Sequence, residues 1–495
     1  MTDTRNLLNK ITAFRERLDS MPRLVAQPIP PEASTAHTSP NETLRGKISA
    51  GSRTQALLEQ SIRQLSEERP SPPPSPVQLT SRAKRVLIEA HELIECLKGL
   101  ADDPLLAGPP PEQGSIEADP LAIYYRETAA MMHPAVRLAQ NMPETPSVQL
   151  RLADGLEGIL ATVRQRLAAL GRALDLRRRD AEHVNHLAHL LVDLDTNRPI
   201  DPNSFVSLAE EILAEGPSAP MRFLYTPPAA RQAFLGGQEF PAPARFVACH
   251  SLTAARVMAR MLRMAPEWRD RPLDPILAVL LHDAGMLRVP AAALASPNAF
   301  TDAERRAVEG HPRAGSELIA YRLPAFAQLV ESIAAHHERL DGTGYPCGFK
   351  ADQISPLARL IAAADLYASM CCPRPHRTAH DPRTALTDAL LYAEQNIIDR
   401  FAAEKLLALS FYPVGSVVEM SDGAIGIVAA NHHSRHELYL ASRPVLNLLV
   451  DAAGYLLPIP LPIDLAECSG SNVVRTLRNE ERARLLGRHY PEWAS

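Results

Sequence analysis

A chain of 495 residues is too long for one hydrophobic core, so two or three folded units are expected. Its 46% hydrophobic and 22% charged content is ordinary for a globular protein, and a formal net charge of −5 excludes a global basic field for DNA or for an anionic membrane. The six cysteines form no C-x-x-C pair, which excludes a disulfide framework as the organising feature and suits reduced thiols. No apolar run approaches the roughly 18 residues of a membrane span, and nothing behind the initial M-T-D-T-R-N reads as a signal peptide. A cytoplasmic protein is expected.

In chain order, Leu7, Ile11, Phe14 and Leu18 form a short coiled-coil-like seam on a helix ending near Met21. Such a seam suits either a helix folded onto its own chain or a homodimer contact. Residues 26–45 are rich in Pro, Ser and Thr and read as disordered. A second amphipathic stretch carries Leu57, Leu58, Ile62 and Leu65 and stops at the Pro-rich spacer Pro70 to Pro76. Residues 1–80 are therefore expected to be mostly disordered, with two short amphipathic helices.

Residues 81–215 repeat apolar positions at three and four and predict a helical regulatory or oligomerisation region. Within it, Leu121 to Met142 reads as a helix restarted or kinked by Pro134, and Leu150 to Leu176 and His186 to Leu194 read as separate segments. His183, His186 and His189 share one face, for which a solvated polar surface is the ordinary reading. Residues 216–245 are Pro- and Gly-rich and read as a linker. Residues 246–410 read as all-helical. After Tyr412 the period changes to two: Val417, Val418 and Met420, then Ser421-Asp422-Gly423, then Ile425, Ile427 and Val428 predict a hairpin. With Val445 to Val450 and Tyr455 to Ile459 this makes residues 411–495 a small antiparallel β appendage and tail. His432, His433 and His436 fall in a polar loop there, for which solvent is again the ordinary reading.

The chemistry lies in 246–410. His250 sits in an apolar helical pattern with Val247, Ala254 and Val257. Ile276 to Leu281 are apolar on every side, so the helix they form is buried, and His282-Asp283 at its end needs a partner or a metal. Taken alone, that dipeptide suits a structural His–Asp hydrogen bond. His311 is followed by Pro312 and Gly315, and Thr301-x-x-Glu304 before it is a capping box, which puts His311 at the far end of a short helix. His336 and His337 close another apolar helix and open H-H-E-R-L-D-G-T-G-Y-P, whose Gly342 and Gly344 allow a sharp turn. Asp365 lies in a further apolar helix. Five helices each delivering a ligand-type residue from an apolar pattern point to metal. Imidazole and carboxylate without thiolate suit Fe, Mn, Zn or Ni over a closed structural zinc.

These residues resemble the HD-GYP family of metal-dependent phosphodiesterases that act on cyclic di-GMP. The resemblance implies a mainly α fold with an HD-type all-helical phosphohydrolase domain, and it covers roughly residues 246–410. It implies two divalent transition-metal ions: one held by His250, His282, Asp283 and Asp365, the other by His311, His336 and His337, with Asp283 bridging. Some members add a third ion through a Glu four residues before the first His; Phe246 stands there, so two are expected. His282 and Asp283 carry the catalytic role, and hydrolysis yields linear pGpG, GMP or both. Gly342, Gly344, Tyr345 and Pro346 shape the pocket. Arg374 and Arg377, in R-P-x-[RK], hold guanine or phosphate by forked hydrogen bonds.

Two positions depart from the pattern. The family's H-D-x-G-K has Met286 where a phosphate-facing Lys stands, and Ala368 replaces an acidic pocket residue. Arg288 is a candidate to substitute for the missing Lys. The departures leave a second expectation, a degenerate metal-binding receptor that binds the dinucleotide or a partner protein without turnover.

Overall fold

The computed structural model describes residues 79–107, 120–141, 143–216, 219–230, 239–432, 440, 442–468 and 470–490. The Leu7–Leu18 seam, the second amphipathic stretch and its Pro-rich spacer lie outside these residues, as do His433 and His436. The chain divides into two compact units, Met1–Arg177 with Val450–Pro458 and Glu480–Ser495, and Arg178–Leu449 with Ile459–Asn479.

In the first unit, α1 (Ser81–Leu100) starts where the Thr80 side chain accepts a hydrogen bond from Ala83 N, and it buries Val86, Leu87, Ala90, Leu93, Ile94 and Leu97 along one face. After α2 (Pro104–Ala107) and α3 (Pro120–Ala130), Pro134 stands in the first turn of α4 (His133–Gln140), where a missing N–H costs nothing. Next comes α5 (Pro146–Asp195), a single helix of 50 residues where the sequence reads as two segments. Residues 177–185 contain neither Gly nor Pro, so nothing interrupts it, and Arg177 Nη1 donates to Leu105 O at 2.9 Å.

The second unit contains α6 (Pro202–Ala214), α7 (Ala244–Met261), α8 (Leu273–Leu281), α9 (Ala291–Leu294), α10 (Asp302–Glu309), α11 (His311–Arg322), α12 (Val330–Ala334), α13 (Pro356–Cys371), α14 (Pro382–Glu394) and α15 (Arg400–Lys405). Its core joins Leu187, Leu191 and Leu194 of α5 and Phe205, Leu208 and Ile212 of α6 to Val247, Leu252 and Val257 of α7 and Ile276 to Leu281 of α8. Each such buried side chain contributes about 1.5–3 kcal/mol. The unit that contains residues 246–410 runs from Arg178. The described part of the expected linker is packed as well: Leu224 N donates to Thr253 Oγ1 at 3.0 Å, and Met221 is buried.

Five strands follow: β1 (Val417–Met420), β2 (Ile425–Ala430), β3 (Val445–Val450), β4 (Leu456–Asp464) and β5 (Val473–Thr476), in the order β4-β3-β2-β1-β5. The expected hairpin pairs Val417 with Ile427 and Glu419 with Ile425, and Gly423 supplies the positive φ of +85° at its turn. β5, antiparallel to β1, and α16 (Asn479–His489) were not expected.

The histidines set aside as surface residues have ordinary partners. His183 meets Glu211 at 3.0 Å, His189 lies edge-on to Phe240 at 4.7 Å, and His432 meets Asp464 at 2.8 Å. All six cysteines are free thiols. Among the described residues no helix is long and apolar enough to cross a membrane.

Candidate metal centre

Seven residues expected as ligands converge inside the second unit. α7 presents His250 from its middle. His282 caps the C-terminus of α8, with Asp283 next to it. His311 opens α11 rather than closing the preceding helix, because α10 ends at Glu309 and is capped by Gly310; the capping box of Thr301 and Glu304 is formed as expected. His336 and His337 follow α12, and Asp365 lies on α13. All but the half-buried His337 are buried.

Two glycines let these elements approach. A Cβ on Gly285 would stand 2.1 Å from His311 O and 2.7 Å from Gly315 N, and one on Gly315 would stand 2.9 Å from Gly285 N. The turn after Asp283 and the first turn of α11 therefore touch backbone to backbone, which brings His311 to Asp283.

The ligand atoms form two facing groups: Asp283 with His311, His336 and His337, and His250 with His282 and Asp365. Asp283 divides its oxygens between them. Oδ1 lies 3.0 Å from His311 Nε2 and 3.9 Å from His336 Nε2, while Oδ2 lies 3.5 Å from His282 Nε2 and 3.6 Å from His250 Nε2. Asp365 Oδ1 is 2.8 Å from His250 Nε2, and its Oδ2 is 3.9 Å from His337 Nδ1.

Burial works to raise the Asp283 carboxyl, yet the His282 charge and the His311 hydrogen bond hold it well below the usual carboxylate range. Burial likewise opposes charge on Asp365, and its hydrogen bond from His250 holds it down too. Burial pushes His336 well below the usual imidazole value and His337 down to about 3, leaving both neutral. On His311 burial is outweighed by the Asp283 hydrogen bond, and the net shift is upward. Charged carboxylates beside the neutral His336 and His337 imidazoles are protonation states that suit a metal.

Among the described residues neither Asp283 nor Asp365 is paired with a Lys or Arg, and His282 Nε2 is buried with no hydrogen-bond partner. Two buried carboxylates without a cation, and an orphaned imidazole nitrogen aimed at them, fit a divalent ion. Phe246, one turn before His250, is buried among Tyr225 and the Arg374 guanidinium, which lies 4.9 Å from its ring centre. Among the described residues, Asp283 and Asp365 are the carboxylates grouped with these histidines.

The G-Y-P loop borders the second histidine pair. Gly342 takes φ +80°, and a Cβ on Gly344 would meet Arg339 N at 2.3 Å and His337 O at 2.5 Å, so both glycines are sterically required. Tyr345, followed by Pro346, lays its ring on His337 at 4.7 Å and 31°. Glu338 was missed as a working residue. Buried, it accepts from Cys347 N at 2.7 Å and Phe349 N at 2.9 Å and so ties the loop to the histidines. Its place directly after His337, before a Gly-rich turn, was the available signal.

The remaining expected contacts divide. Arg377 donates to Ser369 O at 2.7 Å and Met370 O at 3.2 Å, closing the end of α13, whereas Arg374 keeps its guanidinium over Phe246. Arg288 is half-exposed and bound to Asp195 at 2.8 Å, so it does not take the place of a Lys at 286. Met286 and Ala368 are buried in the apolar core.

Residues 238–401 match the family model described as HD domain. The chain is 32% identical over 183 residues to the cyclic di-GMP phosphodiesterase PA4108 of Pseudomonas aeruginosa, covering 37% of this chain and 44% of that one. It is 41% identical over 132 residues to the 3′3′-cGAMP-specific phosphodiesterase 3 of Vibrio cholerae, covering 27% and 28%. It is 38% identical over 120 residues to the cyclic di-GMP phosphodiesterase response regulator RpfG of Xanthomonas campestris pv. campestris, covering 24% and 31%. The chain thus spans less than half the length of each of these relatives.

Proposed function

We propose that residues 238–401, which match an HD domain, form a domain of the HD-GYP kind, and that the protein is a metal-dependent phosphodiesterase that hydrolyses cyclic di-GMP to linear pGpG, GMP or both. The observation that carries this reading is the division of the Asp283 oxygens between two groups of buried imidazoles, one of them beside the G-Y-P loop.

His250, His282, Asp283 and Asp365 would hold one divalent transition-metal ion, and Asp283, His311, His336 and His337 would hold the other. When bound, such a pair activates water and neutralises charge at phosphorus. The chain supplies orientation. Asp283 and Asp365 stay ionised throughout, and His282 keeps Nε2 directed inward because its Nδ1 lies 2.6 Å from Val279 O. Gly342 and Gly344 fold the loop so that Tyr345 covers His337, which leaves its outer surface for a nucleobase. Arg374 supplies forked donors for guanine or phosphate; Arg377 holds the end of α13 instead. Free thiols support a cytoplasmic setting, and the Leu7–Leu18 seam supports a homodimer.

One relative is named for 3′3′-cGAMP, which supports a second reading in which the two bases differ. Incubating the metal-loaded protein with each dinucleotide and chromatographing the products tests both. Linear product from cyclic di-GMP in preference to 3′3′-cGAMP is expected. The reverse preference favours the second reading, and binding without product from either contradicts an enzyme. Met286 stands where the pattern of the family has a Lys, so Met286→Lys should add a charged donor to those of Arg374 and raise kcat by about 10²–10³ with metal content unchanged, a gain measurable by initial rates.

A further inference from the structure

The imidazoles around Asp283 and Asp365 are not supported alike. His282, His311 and His336 place Nδ1 at 2.6, 2.5 and 2.6 Å from the carbonyls of Val279, Val308 and Ile333. In each case the acceptor is three residues earlier, in the last turn of a helix, where carbonyls are left over from the helix's own bonding. His250 has no such acceptor. It stands in the middle of α7, where the carbonyls are already taken, and its Nδ1 is buried with no hydrogen-bond partner among the described residues. The group of Asp283, His311, His336 and His337 therefore has two anchored rings, and a third held against Tyr345. The group of His250, His282 and Asp365 has one anchored ring.

A carbonyl on the far nitrogen fixes the tautomer, orients the ring and raises its basicity; losing such a partner typically lowers metal affinity 10–100-fold, in round numbers about one or two decades. Resting on the two-ion reading above, we infer that the two groups hold their ions unequally: the ion of the His311, His336 and His337 group is resident, and the ion of the His250, His282 and Asp365 group exchanges with solution. Metal supply then sets the fraction of fully assembled centres without altering the fold. The unanchored ring is the point of regulation.

The test uses the full-length chain loaded with Mn²⁺ under reducing conditions, then equilibrated with a graded series of chelator and assayed for bound Mn per chain. Wild type should lose its metal in two steps separated by about 10–100-fold in free Mn²⁺. His250→Gln should bind one ion and keep the tighter step, whereas His336→Gln should lose that step. A single step releasing two ions overturns the inference while leaving the two-ion reading intact. So does a His250→Gln protein that has lost the tighter step. A wild-type chain that binds no Mn²⁺ at any concentration overturns both.

Discussion

Two buried polar centres are built on α7, and they solve the cost of burying charge in opposite ways. Six residues beyond His250, the fully buried Arg256 bonds Asp180 at 2.6 Å and Glu215 at 2.9 Å, and Arg222 bonds Asp180 at 2.8 and 3.1 Å. Two carboxylates face the Arg256 and Arg222 guanidiniums, the buried Arg260 beside them donates to the Arg256 and Ala219 carbonyls, and among these groups only Arg256 Nη1 is left over. Around His250 two carboxylates face only imidazoles, and His282 Nε2 is left open. The first centre is closed by the protein and needs nothing from solution; the second is closed only by a cation from outside. The difference, rather than burial alone, separates structural from functional polarity in this core.

The strongest way to break the comparison is to remove one carboxylate from each centre. Asp283→Ala takes ligand atoms from both metal groups. It should abolish hydrolysis and strip most bound metal, read by product chromatography and elemental analysis. Asp180→Ala leaves the buried Arg256 and Arg222 with Glu215 as their one shared carboxylate and should cost about 3–5 kcal/mol of stability in denaturant unfolding, with unchanged metal per folded chain. If Asp180→Ala loses metal while folded, the two centres are not independent.

Burial opposes the Asp180 charge, yet the Arg256 and Arg222 charges hold its carboxyl below the usual range. A depressed folded pKa contributes stability that is fully present above the unfolded value of about 3.9 and is lost as pH falls through the folded value. Wild type should therefore lose more stability on acidification below about pH 4 than Asp180→Asn does, measured as the difference in unfolding midpoint.

A smaller effect separates the loop from the ligands. Gly344→Ala forces the chain away from Arg339 N and His337 O and should lower kcat on the order of 10²-fold while bound metal stays the same. Smaller still, Arg377→Ala removes two carbonyl contacts and should cost about 1–2 kcal/mol of stability, whereas Arg374→Ala should raise KM and leave stability nearly unchanged. A KM effect at Arg377 equal to that at Arg374 would return both arginines to the substrate.

The open centre was legible in the sequence, and the closed one was not. His282-Asp283, His336-His337 and the Gly342–Pro346 turn are local patterns, and each ligand interrupts an apolar helical face. Asp180 lies 42 residues from Arg222 and 76 from Arg256, and an Arg at a helical position reads as surface until its partners are placed. The same distance hid β5, whose partner strand is 56 residues away, as the Arg475–Glu419 contact shows. The start of the second unit was hidden for another reason. Its boundary falls inside α5, whose period runs through residues 177–185 without a break, so composition could not mark it. Glu338 shows a third limit: its partners are the backbone N–H groups of Cys347 and Phe349, which a sequence does not display.

The centre around His250 is complete only with a cation bound. Elemental analysis of the full-length wild-type chain, reconstituted with Fe, Mn, Zn or Ni under reducing conditions, measures this directly. Two transition-metal ions per chain, retained in folded Asp180→Ala and largely lost in Asp283→Ala, is the predicted result. Fewer than one ion per wild-type chain, or equal retention in the two variants, would contradict it.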